Sequence, residues 1–205
     1  MIKEIYTLYV ERWHFFLDLT WEHLQISLMS IVIATMVGLG LGIMISMYRK
    51  SSSTVLGLTN FIYTIPSIAL FGFLIPFSGI GNTTAIIALS IYALLPMVHN
   101  TYTGIIGIDK EIIEAARGMG STTFQILYKI QIPLAFPVIL SGIRNMVVMT
   151  IALTGIAAFI GAGGLGVAIY RGITTNNSAM TIAGSLLIAL LALLADWGVT
   201  LRKAY

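Results

Sequence analysis

The sequence predicts an all-α polytopic membrane protein with five membrane-spanning helices. The chain is 58% hydrophobic with only 9% charged residues and a mean hydropathy of +0.95, outside the soluble globular range. Five of its segments approach the roughly 20 apolar residues needed to carry a helix across the hydrocarbon core. The connections between them are polar or glycine-rich, as expected where lipid forbids irregular exposed backbone.

Residues 1–25 mix Lys3, Glu4, Glu11, Arg12, Asp18 and Glu22 with aromatic side chains, which is not the form of a cleavable signal peptide. Trp13, Phe15, Phe16 and Trp21 beside those charges suit an amphipathic segment at the membrane interface. Spans are expected near 26–47, 57–77, 83–106, 137–160 and 180–200. Gly38 and Gly42 form a G-x-x-x-G pair in the first, a packing signal within the subunit or across a dimer. Pro66, Pro76 and Pro96 fall within or at the ends of spans, tolerated where neighbouring helices satisfy the freed carbonyls. No repeat or low-complexity linker divides the chain, so 1–205 reads as one transmembrane domain.

Scarce charge crowds into the connection 107–136, which carries Asp109, Lys110, Glu111, Glu114, Arg117 and Lys129. Asp109 is an expected N-cap for a helix running to about Met119, with Glu111 near its positive end and Gly118 and Gly120 permitting its termination. Ser121 is then expected to cap a second short helix on which Phe124, Leu127 and Tyr128 share one apolar face, with Pro133 stopping it. Arg49, Lys50, Lys110, Arg117, Lys129, Arg202 and Lys203 all follow or precede spans on one side. Only Lys3, Arg12 and Arg171 lie on the other, which puts the N-terminus outside and the 107–136 loop and C-terminus in the cytoplasm.

The order Glu114-Ala115-Ala116-Arg117-Gly118-Met119-Gly120, continued to Ile130-Gln131-Ile132-Pro133, resembles the EAA loop of the membrane subunits of bacterial ABC importers. The resemblance implies the type I importer permease fold, a multi-pass place in the bacterial cell membrane, and coupling helices that dock on separate cytoplasmic ATPase subunits. Glu114, Ala115, Ala116, Arg117, Gly118, Gly120 and Phe124 are then the coupling residues: alanines small enough to seat in a groove, charges for contact, and a glycine for the turn. An ordinary helical loop is the bland alternative. Tyr63-Thr64-Ile65-Pro66, Leu95-Pro96 with Asn100-Thr101-Tyr102, and Ala157 through Gly172 are similar to the glycine betaine, carnitine and choline permeases. That likeness implies a quaternary-amine osmoprotectant as cargo, a second permease chain, identical or related, and an extracytoplasmic substrate-binding protein. Import of methionine or a betaine-like thiol compound is the alternative within the class, and a passive channel or membrane assembly factor the alternative outside it.

The chain itself is expected to hold no cofactor and no metal; ATP and Mg belong to the partner ATPase. Gly161-Ala162-Gly163-Gly164-Leu165-Gly166 fits G-x-G-x-x-G as text, but it follows a membrane helix rather than a strand and reads as a tight turn. The sequence has no H-E-x-x-H and no G-x-S-x-G, which argues against an enzyme, and no cysteine, which excludes disulfides and thiolate metal sites. A net charge of +3 arises from scattered residues rather than a basic patch, so nucleic acid is not an expected partner. Arg144 and Asp196 lie at matching depth and are expected either to pair or to snorkel separately to the interface. His99, where the resembling permeases often have Arg, is expected with Asn100 and Pro66 along the pathway or gate. Arg171 is read either as a contact for the binding protein or as a solvated charge.

Overall fold

The computed structural model describes residues 1–201, all in helices and short connections, with no strand among them. Arg202 and Lys203, part of the expected cytoplasmic end, lie outside the described residues. A short helix α1 (Ile2–Glu11) precedes α2 (Trp13–Met47), and a 3-10 turn leads to α3 (Ser52–Thr64) and α4 (Ser67–Ser78). The long α5 (Asn82–Ile106) is followed by α6 (Lys110–Gly118), α7 (Thr123–Ile126), α8 (Ile132–Thr154), α9 (Gly166–Thr174) and α10 (Ser178–Leu201).

Among the described residues four helical segments are long and apolar enough to cross a membrane, and five when α3 and α4 count as one span. That second span is not straight. The stretch Arg49–Thr64 and Ser67–Ser78 meet at 100°. Ile65 precedes a proline, which drives it to extended backbone (φ −69, ψ 127), and Pro66 itself takes ψ 136. The Tyr92 hydroxyl of α5 donates to the Ile65 carbonyl freed by the break.

The first span is longer than expected. Residues 13–25 are not a separate interfacial segment but the first turns of α2, whose 35 residues measure about 52 Å at 1.5 Å per residue. Only α1 forms a distinct helix ahead of it, set off at Arg12. At the other expected loop, Pro133 does not stop a helix. A π turn over Leu127–Gln131 closes with Ile132 N–H on the Leu127 carbonyl, and Pro133 enters α8 directly after it, in the first turn.

α5 lies at the centre, packed along α2 and α8, while α10 packs on α8 and α9. The packing is by small residues. A Cβ at Gly38 would come within 2.7 Å of Met97 and one at Gly42 within 2.5 Å of Thr101, so the G-x-x-x-G pair seats α2 on α5 within the subunit. Gly142 on α8 meets Asn100 on α5 in the same way. Three apolar clusters follow: Phe71, Leu89, Tyr92 and Ala157 near the α3–α4 bend, Met97, Ile105, Leu127 and Met146 towards α7, and Phe16, Leu165 and Met180 around α9 and α10.

Candidate functional site

The Asp109 carboxylate accepts the Glu111 N–H at 3.2 Å and starts α6. The helix ends in a Schellman motif: Gly120 N–H bonds the Arg117 carbonyl at 2.9 Å and Ser121 N–H bonds Ala116 at 3.0 Å. Gly120 holds φ +85, a conformation a side chain resists, so the turn depends on this glycine rather than on Gly118. Thr122, not Ser121, caps α7. Its hydroxyl accepts the Gln125 N–H at 3.3 Å while the Gln125 side chain accepts the Thr122 N–H at 2.9 Å, a complete capping box that fails at Ser121 for want of Gln or Glu three residues on.

Of α6, only Ala116 is buried; Glu114, Ala115, Arg117 and Gly118 point outward, and Glu114 has no ion-pair partner among the described residues. Phe124, Leu127 and Tyr128 do not form one face. Leu127 is buried with Ile126, whereas Phe124 and Tyr128 are 68% and 67% exposed and stack on each other, ring centroids 6.3 Å apart and planes 5° apart. The π turn rotates the helix between them. With Met119 80% exposed just after α6, they leave an exposed apolar knob on the segment that also carries Lys110, Glu111, Glu114 and Arg117. Behind it a cleft of about 370 Å³ is lined by Arg49, Lys110, Glu114, Arg117 and Gln131, which brings the end of α2 beside the α6–α7 pair.

A family model described as the binding-protein-dependent transport system inner membrane component matches residues 28–201. The chain belongs to this family. It is a permease subunit of an ABC importer. The glycine betaine/carnitine/choline transport system permease protein OpuCD of Bacillus subtilis (strain 168) is 40% identical over 197 residues, 96% of this chain and 86% of that protein. The osmoprotectant import permease protein OsmW of Salmonella typhimurium (strain LT2) is 43% identical, covering 90% of this chain and 91% of that protein. Among solved structures, the inward-facing MetNI methionine ABC transporter matches with a TM-score of 0.83 at 24% identity, over 90% of this chain and 93% of that one, and has the same fold.

On the side of the permease, a second cleft of about 310 Å³ opens between α3, α5 and α8, lined by Asn60, Tyr63, Leu95, Pro96, His99, Asn100, Asn145 and Met149. His99 and Asn100 thus share a cavity; Asn100 donates to the Pro96 carbonyl at 2.7 Å. Pro66 does not line it and stands at the α3–α4 bend beyond. Arg144 and Asp196 meet between α8 and α10, the guanidinium Nε and Nη2 each donating to a carboxylate oxygen, the latter at 2.6 Å. Two opposite charges held in this fork are far less costly in lipid than either alone.

At the far end, the permease ties its glycine turn down. Gly163 N–H donates to Asn82 Oδ1 at 2.8 Å, Gly164 N–H to Glu22 Oε2 at 3.1 Å, and Asn82 Nδ2 donates to Glu22 Oε1 at 3.0 Å. The amides a phosphate would need are therefore occupied by the chain's own side chains, which agrees with reading Gly161–Gly166 as a turn. His23, fully buried beneath it, places Nε2 3.0 Å from the Ile151 carbonyl. Arg171 stands on α9 with its guanidinium over the Phe15 ring at 5.3 Å, exposed and tethered to α2.

The sequence placed Arg144 and Asp196 at matching depth, and they pair, but it did not single out Asn60 and Asn145, a place for Tyr63 in the cleft, or the Glu22–Asn82 tie. Asn60 and Tyr63 stand at i and i+3 in an apolar stretch, and Asn145 directly follows Arg144. That spacing was the available signal.

Proposed function

We propose that this permease imports a quaternary-amine osmoprotectant of the glycine betaine, carnitine and choline kind, by alternating access driven by ATP hydrolysis in partner chains. The observation that carries the coupling is the α6–α7 knob, an exposed aromatic pair and an uncovered helix face whose shape is fixed by a Schellman turn and a capping box. Apolar surface at a charged end is costly to leave bare, and a groove on a soluble ATPase subunit covers it. Glu114, Ala115, Ala116, Arg117, Gly118, Gly120 and Phe124 then transmit motion as a rigid unit, with ATP and Mg bound by the ATPase. The names of relatives 40% and 43% identical support the cargo class.

The rest of the assembly follows from the same reading. The chain acts as one transmembrane domain beside a second permease chain, with the pathway between them passing His99 and Asn100 and gated near the Pro66 bend. The N-terminus and Arg171 face outward, where an extracytoplasmic binding protein docks, and the knob faces the cytoplasm.

The test is reconstitution of the permease with its ATPase and binding protein in proteoliposomes. ATP-dependent uptake of labelled glycine betaine, carnitine or choline is expected. Phe124→Ala is expected to weaken ATPase binding by about 30-fold, the effect of removing an interface anchor worth about 2 kcal/mol. Uptake that persists without ATP, or that ignores both Phe124→Ala and Gly120→Val, would sink the coupling reading; uptake of methionine alone would sink the cargo reading.

A further inference from the structure

The cleft between α3, α5 and α8 opens on a face of the chain where Asn60, Tyr63, His99 and Asn145 are all exposed, an unusual set of side chains for the span region. Among the described residues, Asn60, His99 and Asn145 have no side-chain hydrogen-bond partner, and the Tyr63 hydroxyl reaches only the weak acceptor Met149 Sδ at 3.2 Å. His99 and Asn145 lie well inside α5 and α8, whereas Asn60 and Tyr63 lie near the end of α3, at the bend. His99 is seven residues before the end of α5, about 10 Å at 1.5 Å per residue, and Asn60 eight residues into α3, about 12 Å. Carboxamides at that depth are costly against lipid, and on this exposed face, along which the proposed pathway runs, they stand free to meet a polar solute.

The lining says which kind. Among the described residues no Asp, Glu, Lys or Arg lines it, so none of them offsets a net charge there. The amide groups of Asn60 and Asn145 and the His99 imidazole offer N–H donors suited to a carboxylate. Tyr63, packed edge-on against Tyr92 with centroids 5.9 Å apart, offers a ring to a quaternary ammonium. A molecule carrying both groups satisfies both walls and brings no net charge; a bare cation uses only the ring.

We propose that this cleft is a resting subsite for the transported solute within the membrane, and that it selects a compact zwitterion with a carboxylate and a quaternary ammonium over a bare quaternary cation. The proposal rests on the osmoprotectant reading and adds to it a place and a preference.

Equilibrium binding of labelled glycine betaine and choline to the permease–ATPase complex in nanodiscs, without the binding protein, tests it. Glycine betaine is expected to bind at least about tenfold more tightly than choline, the effect of one hydrogen-bond set to a charged group. Asn145→Leu should remove that preference, Asn145→Gln should restore part of it, and Asn60→Leu on α3 reads the same ratio should Asn145→Leu fail to assemble. Equal affinities, no binding, or a preference indifferent to these variants would overturn the subsite. The importer reading is judged separately by uptake in the complete system. If the wild type binds no solute here yet imports glycine betaine, only the subsite falls; if it imports neither solute, the osmoprotectant reading falls and takes the subsite with it.

Discussion

Arg144 and Asp196 meet between α8 and α10, each partly exposed on the bundle, and the fork between them joins two helices that otherwise pack through aliphatic side chains. Removing one partner leaves the other charge uncompensated against lipid, whereas removing both leaves an apolar surface that lipid accepts. Arg144→Met and Asp196→Leu are each expected to lower the melting temperature of the purified permease, and the double variant to lose less than the sum of the two; a double-mutant cycle on thermal unfolding reads the coupling. Strict additivity would show that the pair contributes nothing. This pair was legible in the sequence, because two opposite charges in spans of a chain with few charges have few other partners. The Glu22–Asn82 tie was not: it links Glu22 to Asn82, 60 residues away, and to the Gly164 N–H, 142 residues away, and a carboxylate near the start of an apolar stretch has an interfacial reading that is locally as good.

At the scale of the helix, backbone chemistry decided what hydropathy left open. The existence of the spans was legible because each is a predominantly apolar stretch of about 20 residues, and the α6 N-cap because Asp109 has no competing role nearby. The breaks were harder. Pro66 announces a break, yet only Tyr92 on another helix, bonding the Ile65 carbonyl, makes a 100° bend tolerable. Pro133 has the same local signature and breaks nothing, because the π turn before it absorbs the misfit and divides the expected Phe124–Leu127–Tyr128 face. Helix packing yields a comparison within one span. Gly42→Ala places a Cβ 2.5 Å from Thr101, so α2 and α5 must separate at a cost of about 1–3 kcal/mol. Gly40→Ala, two residues away, meets nothing within 4 Å and gains helix propensity of up to about 1 kcal/mol. Chemical unfolding should therefore move in opposite directions for the two, and a shared direction would contradict the α2–α5 packing.

For the molecule as a whole, the two ends are chemically distinct, and their assignment to the two sides of the membrane governs everything proposed about coupling. Arg49, Lys110 and Arg117 line one cleft, so the fold gathers onto one end basic residues that are far apart in sequence. The opposite end joins Lys3 and Glu4 of α1 to Asn177, just before α10. Excess Lys and Arg favours the cytoplasmic side, and the proposed coupling to ATP calls for the same orientation. The absence of cysteine makes this measurable, since any introduced thiol is the sole reporter. Asn176→Cys and Met119→Cys both replace exposed residues, one at each end. In intact cells a membrane-impermeant maleimide is expected to label the thiol at position 176 and not that at 119; after permeabilisation both should label. Co-expressed ATPase should then slow labelling at 119 alone, because the knob is covered. The reverse pattern would place the α6–α7 knob outside the cell, where no ATP-driven subunit can reach it, and the coupling mechanism would fall with the topology.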